Sequence, residues 1–233
     1  AFGVYSYLKA NQRDPVLFYS GRNIISKPNM LKMLENLNIP LEYRPELKFV
    51  DGLLVTVDCQ YGAGNVTKVQ ADTVAVIDHH IQEVEPPALS DIRPYLGSCS
   101  TLVWKLLTDE DFPIPLALST ALYYGLYTDT GALSEVRHPL DRDLRDMGER
   151  DEAILRILKN SNLTLEDLSL ASQALVDLVF DENGFAVIRT EPCDPNILGF
   201  ISDLAMQVDK VNVAVVYSEN PDGIKYSVRT VIK

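Results

Sequence analysis

The sequence predicts an α/β protein made of a parallel-sheet core, a helical connector and a smaller α+β domain. Three features of the chain carry that expectation. As far as Asp129, short β-branched or aromatic runs alternate with helical patterns. Amphipathic, charge-rich helical stretches with no strand between them follow. The remainder holds two strong turn signals between apolar runs. The core is therefore expected over 1–140, the connector over 141–172 and an incomplete C-terminal domain over 173–233.

From the N-terminus, Phe2, Tyr5 and Leu8 share one helical face, so the chain opens in a helix with no capping residue ahead of it. Val16–Tyr19, Leu53–Val57 and Thr73–Ile77 have the composition of buried parallel strands. Met30–Leu37 is predicted helical after Pro28, Thr101–Leu107 forms another helix, and Leu116–Tyr127 a longer apolar one opened by Pro115. Leu140–Met147, Ala153–Leu158 and Leu165–Leu175 are the charged helices of the connector. Beyond them, Val176–Phe180 and Phe185–Arg189 flank an Asn183-Gly184 hairpin signal, Ile197–Val208 is a helix, and Val211–Tyr217 and Ile224–Val231 surround the turn Asn220-Pro221-Asp222-Gly223. That order is β-β-α-β-β.

At 233 residues and 46% hydrophobic content the chain can bury a real core. A formal net charge of −12 argues against gripping long duplex nucleic acid, which needs clustered Lys and Arg to displace counterions. A small anionic ligand remains compatible. Cys59, Cys99 and Cys193 are too few and too dispersed for a disulfide framework or a thiolate zinc site, and suit a reducing, cytoplasmic setting. No apolar run reaches membrane-spanning length, so no membrane partner is expected. A homodimer is compatible with the sequence.

The chemistry gathers where apolar runs end. Asp58 closes one predicted strand, Asp78 closes the next and is followed by His79 and His80, and Asp129 follows the long helix. Ligands of open parallel sheets bind beyond the carboxyl ends of the strands, so Asp58, Asp78, His79 and His80 should share one edge. Carboxylate and imidazole suit a divalent ion such as Mn²⁺, Mg²⁺, Fe²⁺ or Zn²⁺. An Asp at a strand end is also a common turn former, and a lone His is commonly structural. Two adjacent His after a strand-terminal Asp, in a chain with three His in all, favour a functional site.

Val76-Ile77-Asp78-His79-His80 resembles the signature from which the DHH phosphoesterases take their name. Val57-Asp58-Cys59 looks like that family's upstream Asp motif, and Gly125-Leu126-Tyr127-Thr128-Asp129-Thr130-Gly131 its downstream Asp-Thr-Gly motif. The C-terminal β-β-α-β-β segment resembles the family's substrate-binding domain. The resemblance implies two divalent ions, Mn²⁺ first and Mg²⁺ as the alternative, with Asp58 bridging, His79 ligating one and Asp129 the other. It implies that Asp78 orients His79 and that His80 meets the substrate phosphate. Gly97-Ser98-Cys99-Ser100-Thr101 opens a helix where Ser98, Ser100 and Thr101 either receive an anion or simply cap the helix. Arg229, in a Ser-x-Arg strand, is the expected contact to substrate.

Two family motifs are missing from this sequence: a His-x-x-x-Asp-x-Asp, expected ahead of Ala1, and a Gly-rich segment ending in His, expected after Lys233. The function implied is hydrolysis of short nucleotides such as nanoRNA, 3′-phosphoadenosine 5′-phosphate, or linear or cyclic dinucleotides. The alternatives are a catalytically weakened nucleotide-binding regulator and an inorganic pyrophosphatase or polyphosphatase.

Overall fold

The computed structural model describes residues 1–21, 24–64, 66–146, 148–221 and 223–231. The chain divides into two compact units, Ala1–Asn162 and Leu163–Lys233.

The first unit begins with α1 (Phe2–Ala10), β1 (Leu17–Tyr19), α2 (Pro28–Asn36) and β2 (Leu41–Tyr43). Next come β3 (Phe49–Val57), β4 (Gln70–Asp78) and β5 (Leu89–Ile92), and then α3 (Cys99–Asp109), α4 (Leu116–Asp129), α5 (Pro139–Asp146) and α6 (Glu152–Lys159). β1 and β2 pair in parallel, and β3-β4-β5 form an all-parallel sheet. The β-branched segment Leu53–Val57 runs in register with Thr73–Ile77, so Val57 faces Ile77 and both strands end level with one another. That register delivers Asp58 and Asp78 to the same edge.

Val57 and Ile77 pack onto a helical core built from Cys99, Val103 and Trp104 of α3, Leu118, Leu122 and Leu126 of α4, and Leu144 of α5. α1 approaches α3 closely at Gly3, where a Cβ would stand 2.6 Å from Val103 Cγ1. Tyr123 and Tyr124 of α4 form a second core with Leu155 and Leu158 of α6. α4 runs two residues beyond the expected end at Tyr127, so Asp129 is its last residue rather than a loop residue. The expected helix Leu140–Met147 is α5; its final position, Met147, lies outside the described residues.

The second unit holds α7 (Leu165–Val176), β6 (Val179–Phe180), β7 (Phe185–Thr190), α8 (Pro195–Ala205), β8 (Val213–Asn220) and β9 (Gly223–Thr230), with sheet order β6-β7-β8-β9. β6 and β7 are antiparallel about the Asn183-Gly184 turn, where Gly184 takes φ +89°. β8 and β9 are likewise antiparallel, and Asp222 of their turn lies outside the described residues. The helical stretch 141–172 is divided: α5 and α6 fall in the first unit, whereas α7 buries Ala171 and Ala174 against Ala186, Ile188, Leu198 and Ile201 of the second. α7 starts at a capping box, Thr164 with Asp167, and continues through Val176. The strand expected from Val176 is thereby shortened to Val179–Phe180.

Candidate metal centre at the ends of β3 and β4

Because Val57 pairs with Ile77, the chain leaves the sheet at two adjacent points, and the Asp58 N–H still donates to the Ile77 carbonyl at 2.9 Å. Asp58 then turns sharply, with φ +67°, a left-handed conformation uncommon among L residues but one that Asp and Asn adopt more readily than most. Its Oδ1 lies 3.4 Å from His79 Nε2. Ligand atoms of Asp58, His79 and His80 all fall within 4.8 Å of one another, a group able to hold a metal ion. Asp129 stands outside that group.

Each imidazole is held by its Nδ1. His79 Nδ1 lies 3.2 Å from the Leu96 carbonyl, an acceptor, so Nδ1 carries the proton and the lone pair sits on Nε2, toward Asp58. His80 Nδ1 lies 2.8 Å from Asp78 Oδ1, and its ring is exposed. The partner expected of Asp78 is thus corrected: its side chain orients His80, while a backbone carbonyl orients His79. The reason is geometric, since Asp78 meets His79 through that residue's backbone N–H, at 2.8 Å, while the His79 ring turns away toward Leu96.

Asp78 is fully buried, and burial alone pushes its carboxyl up. Hydrogen bonds from His80, Gln60 and the His79 N–H outweigh that effect and hold it below the usual carboxylate range. The same bond to Asp78 raises His80 above the ordinary imidazole value, against burial. Burial raises Asp58, opposed by the pull of His79 and His80. Burial first, and then the charge of Asp58, push Asp129 up to about 6. Asp129 therefore feels the cluster's field without joining it.

The other expected contacts sit elsewhere. Ser98 and Thr101 are completely buried. Ser98 caps α3 by accepting from the Thr101 N–H at 3.1 Å, and the Thr101 hydroxyl donates to Asp141 Oδ1 at 2.6 Å. Asp141 Oδ2 accepts from the Gly97 N–H at 3.0 Å. Ser100 packs against Gly125 of α4, leaving no space for a Cβ there. The capping alternative is the one this helix start adopts, because Asp141 already fills the place of an anion. Arg229 belongs to the second unit, on the face of β9 that rests against α8, with Nε 2.7 Å from Asp203 Oδ1. Ser227, on the same face, bonds Ser202 of α8 at 2.9 Å.

Two participants carried no signal in the sequence. The Leu96 carbonyl is a backbone group and has no residue-type signature. Gln60 is buried and donates from Nε2 to Asp78 Oδ2 at 3.0 Å and to the Ile81 carbonyl at 3.0 Å, while its Oε1 accepts from the Glu83 N–H at 2.9 Å.

Among known proteins, the chain is similar to the cyclic-di-AMP phosphodiesterase GdpP of Geobacillus thermodenitrificans, at 24% identity over 96% of this chain and 37% of that protein. It is also similar to the uncharacterized protein MJ1633 of Methanocaldococcus jannaschii, at 23% identity over 66% of this chain and 33% of that one. The chain thus spans about a third of the length of these relatives. The crystal structure of an exopolyphosphatase-related protein from Bacteroides fragilis shares the fold, with a TM-score of 0.64 at 14% identity over 98% of this chain and 83% of that one. Residues 1–126, more than half of the sequence, match the DHH family N-terminal domain, and they include Asp58 and the Asp78-His79-His80 run at the strand ends. The chain belongs to the DHH family.

Proposed function

We propose that the protein is a metal-dependent phosphoesterase acting on short nucleotide substrates: nanoRNA, 3′-phosphoadenosine 5′-phosphate, or a linear or cyclic dinucleotide. The observation that carries this reading is the cluster of Asp58, His79 and His80 beyond the ends of two parallel strands. Its donors fit a divalent cation. A carboxylate oxygen and an imidazole nitrogen are hard-to-borderline ligands, and the bond from His79 Nδ1 to Leu96 leaves Nε2 free to ligate. Asp58 and His79 would hold one ion, and Asp129 would complete a second position beside Asp58. Manganese or magnesium bound there supplies Lewis acidity and makes hydroxide accessible near neutral pH.

The chain's own groups supply the rest. Asp78 holds the Nδ1 proton of His80, which directs Nε2 away from Asp78, on an exposed ring. With its affinity for a proton raised by Asp78, His80 presents an N–H to a phosphate oxygen and offsets its charge. Arg229 is the proposed phosphate contact of the second unit, since a guanidinium fork keeps its charge at any working pH. The similarity to a cyclic-di-AMP phosphodiesterase along nearly the whole chain supports a nucleotide phosphodiester as the substrate class. The net charge of −12 favours a small ligand over a long polyanion. A cytoplasmic location suits substrates of this kind.

The test is a panel of short nucleotides and a long duplex, assayed with Mn²⁺ and with a chelator. Hydrolysis of the short substrates, lost on chelation and absent for the duplex, is expected. Hydrolysis of none of them, or full activity in the chelator, overturns the proposal.

A further inference from the structure

Gln60 stands two residues beyond Asp58, yet its amide reaches across to the loop that carries both histidines. The partners define the orientation of that amide. Nε2 meets only acceptors: Asp78 Oδ2 at 3.0 Å, the Ile81 carbonyl at 3.0 Å and the His80 carbonyl at 3.4 Å. Oε1 meets a donor, the Glu83 N–H at 2.9 Å. Donors on one atom and an acceptor on the other, at this reach, belong to glutamine alone among the ordinary side chains. Glutamate lacks the donors, and asparagine is one methylene too short to span both ends. The side chain is only 4% exposed, so water cannot replace these bonds cheaply.

The consequence runs through Asp78. Its Oδ1 is taken by the His79 N–H and by His80 Nδ1, and Gln60 holds Oδ2. Without Gln60 a buried carboxylate oxygen loses its partner, and the carboxylate is free to rotate away from His80. The backbone from His80 to Glu83 loses its tie to the end of β3 at the same time. We infer that Gln60 is a positioning residue of this centre, fixing Asp78 and the loop after β4 so that the His80 ring points in one direction. This deepens the proposed phosphoesterase reading and rests on it for its effect on turnover, but the ring orientation is observable without any reaction.

The experiment uses Gln60→Met, which keeps the size and removes every hydrogen bond, Gln60→Glu, which keeps only the acceptor, and Gln60→Asn, which keeps the amide but shortens its reach. Histidine side-chain ¹H–¹⁵N spectra of the protein with its three His residues report each ring separately. His138 is the internal control, because its Nδ1 accepts from the Leu140 N–H and touches none of these groups. The His80 Nδ1–H signal, which reports its bond to Asp78, should shift or broaden in all three variants while His138 stays unchanged. With Mn²⁺ and bis(4-nitrophenyl) phosphate, kcat should fall about 10-fold or more, because His80 would no longer hold its N–H in place against the phosphate. KM should change by less than about twofold, since the loss lies in the reacting geometry rather than in general binding.

Unchanged His80 signals, with a lower Tm as the only effect, would reduce Gln60 to a structural residue and overturn the inference. Gln60→Asn, the smallest change, decides the matter if the Met variant does not fold. If the unsubstituted protein hydrolyses no phosphodiester, the proposed function fails by itself, and the ring signals still decide the role of Gln60.

Discussion

Two places in the first unit gather polar residues where a ligand could sit, and they differ in what they do with their polar groups. At the ends of β3 and β4, Asp58 Oδ1 and His79 Nε2 lie 3.4 Å apart, and Asp58, His79 and His80 each bring one ligand atom within 4.8 Å of the other two. At the start of α3, Ser98, Thr101, the Gly97 N–H and Asp141 satisfy one another. The difference lies in a single intruding carboxyl group. Asp141 arrives from α5 and occupies the helix start, whereas no Lys or Arg reaches Asp58 among the ion pairs of the described residues. A site is therefore marked by polar groups that the fold leaves unpaired, and a structural lock by groups that it pairs completely.

Removing a group from each of these two places should have opposite effects. His79→Ala or Asp58→Ala should abolish Mn²⁺-dependent hydrolysis at a cost of about 1 kcal/mol in stability, since the first gives up the bond to the Leu96 carbonyl and the second puts Ala at φ +67°. Loss of turnover in a protein that still folds and melts cooperatively is the expected result, and near-normal turnover in either variant would remove the cluster from the chemistry. Asp141→Ala should do the reverse. It takes the acceptor from the Gly97 N–H and leaves the buried Thr101 hydroxyl with Ser98 as its remaining partner, and should cost about 2 kcal/mol in a denaturant titration, with turnover per folded molecule retained.

Smaller effects sharpen the same contrast. Ser98→Ala removes one cap and should cost about 1 kcal/mol, again without altering KM for a nucleotide. A raised KM would restore the helix start as an anion site. Arg229→Lys should shift stability by less than about 0.5 kcal/mol, since its partner Asp203 is exposed. If Arg229 holds phosphate, the same variant lowers turnover on a nucleotide but not on a small generic phosphodiester; equal effects on both would take Arg229 out of the site.

Much of this was legible in the residues because the strongest signals are local. Val55, Thr56 and Val57, like Val74, Val76 and Ile77, mark parallel strands by composition, and the acidic residues after them inherit their positions from the register. β2 and β5 were not legible. Leu41–Tyr43 is three residues long, and Leu89–Ile92 carries Ser90 and Asp91, so neither stands out from its surroundings. The asymmetry between the two histidines was hidden for another reason. The partner of His79 is the carbonyl of residue 96, and the partner of Asp78 Oδ2 is residue 60, contacts that only the folded chain creates. Asp141, 44 positions from Gly97, was hidden in the same way, which is why the helix start could be read as a cap or as an anion site until its partner was seen.

A Mn²⁺ titration of the protein followed by electron paramagnetic resonance, beside the same titration of Asp58→Asn, which keeps the shape and removes the charge, tells whether the ion sits at the ends of β3 and β4. The unsubstituted protein should take up the ion, and Asp58→Asn should bind it far more weakly. Equal binding by the two proteins would contradict this, because the metal would then be held somewhere other than the ends of β3 and β4.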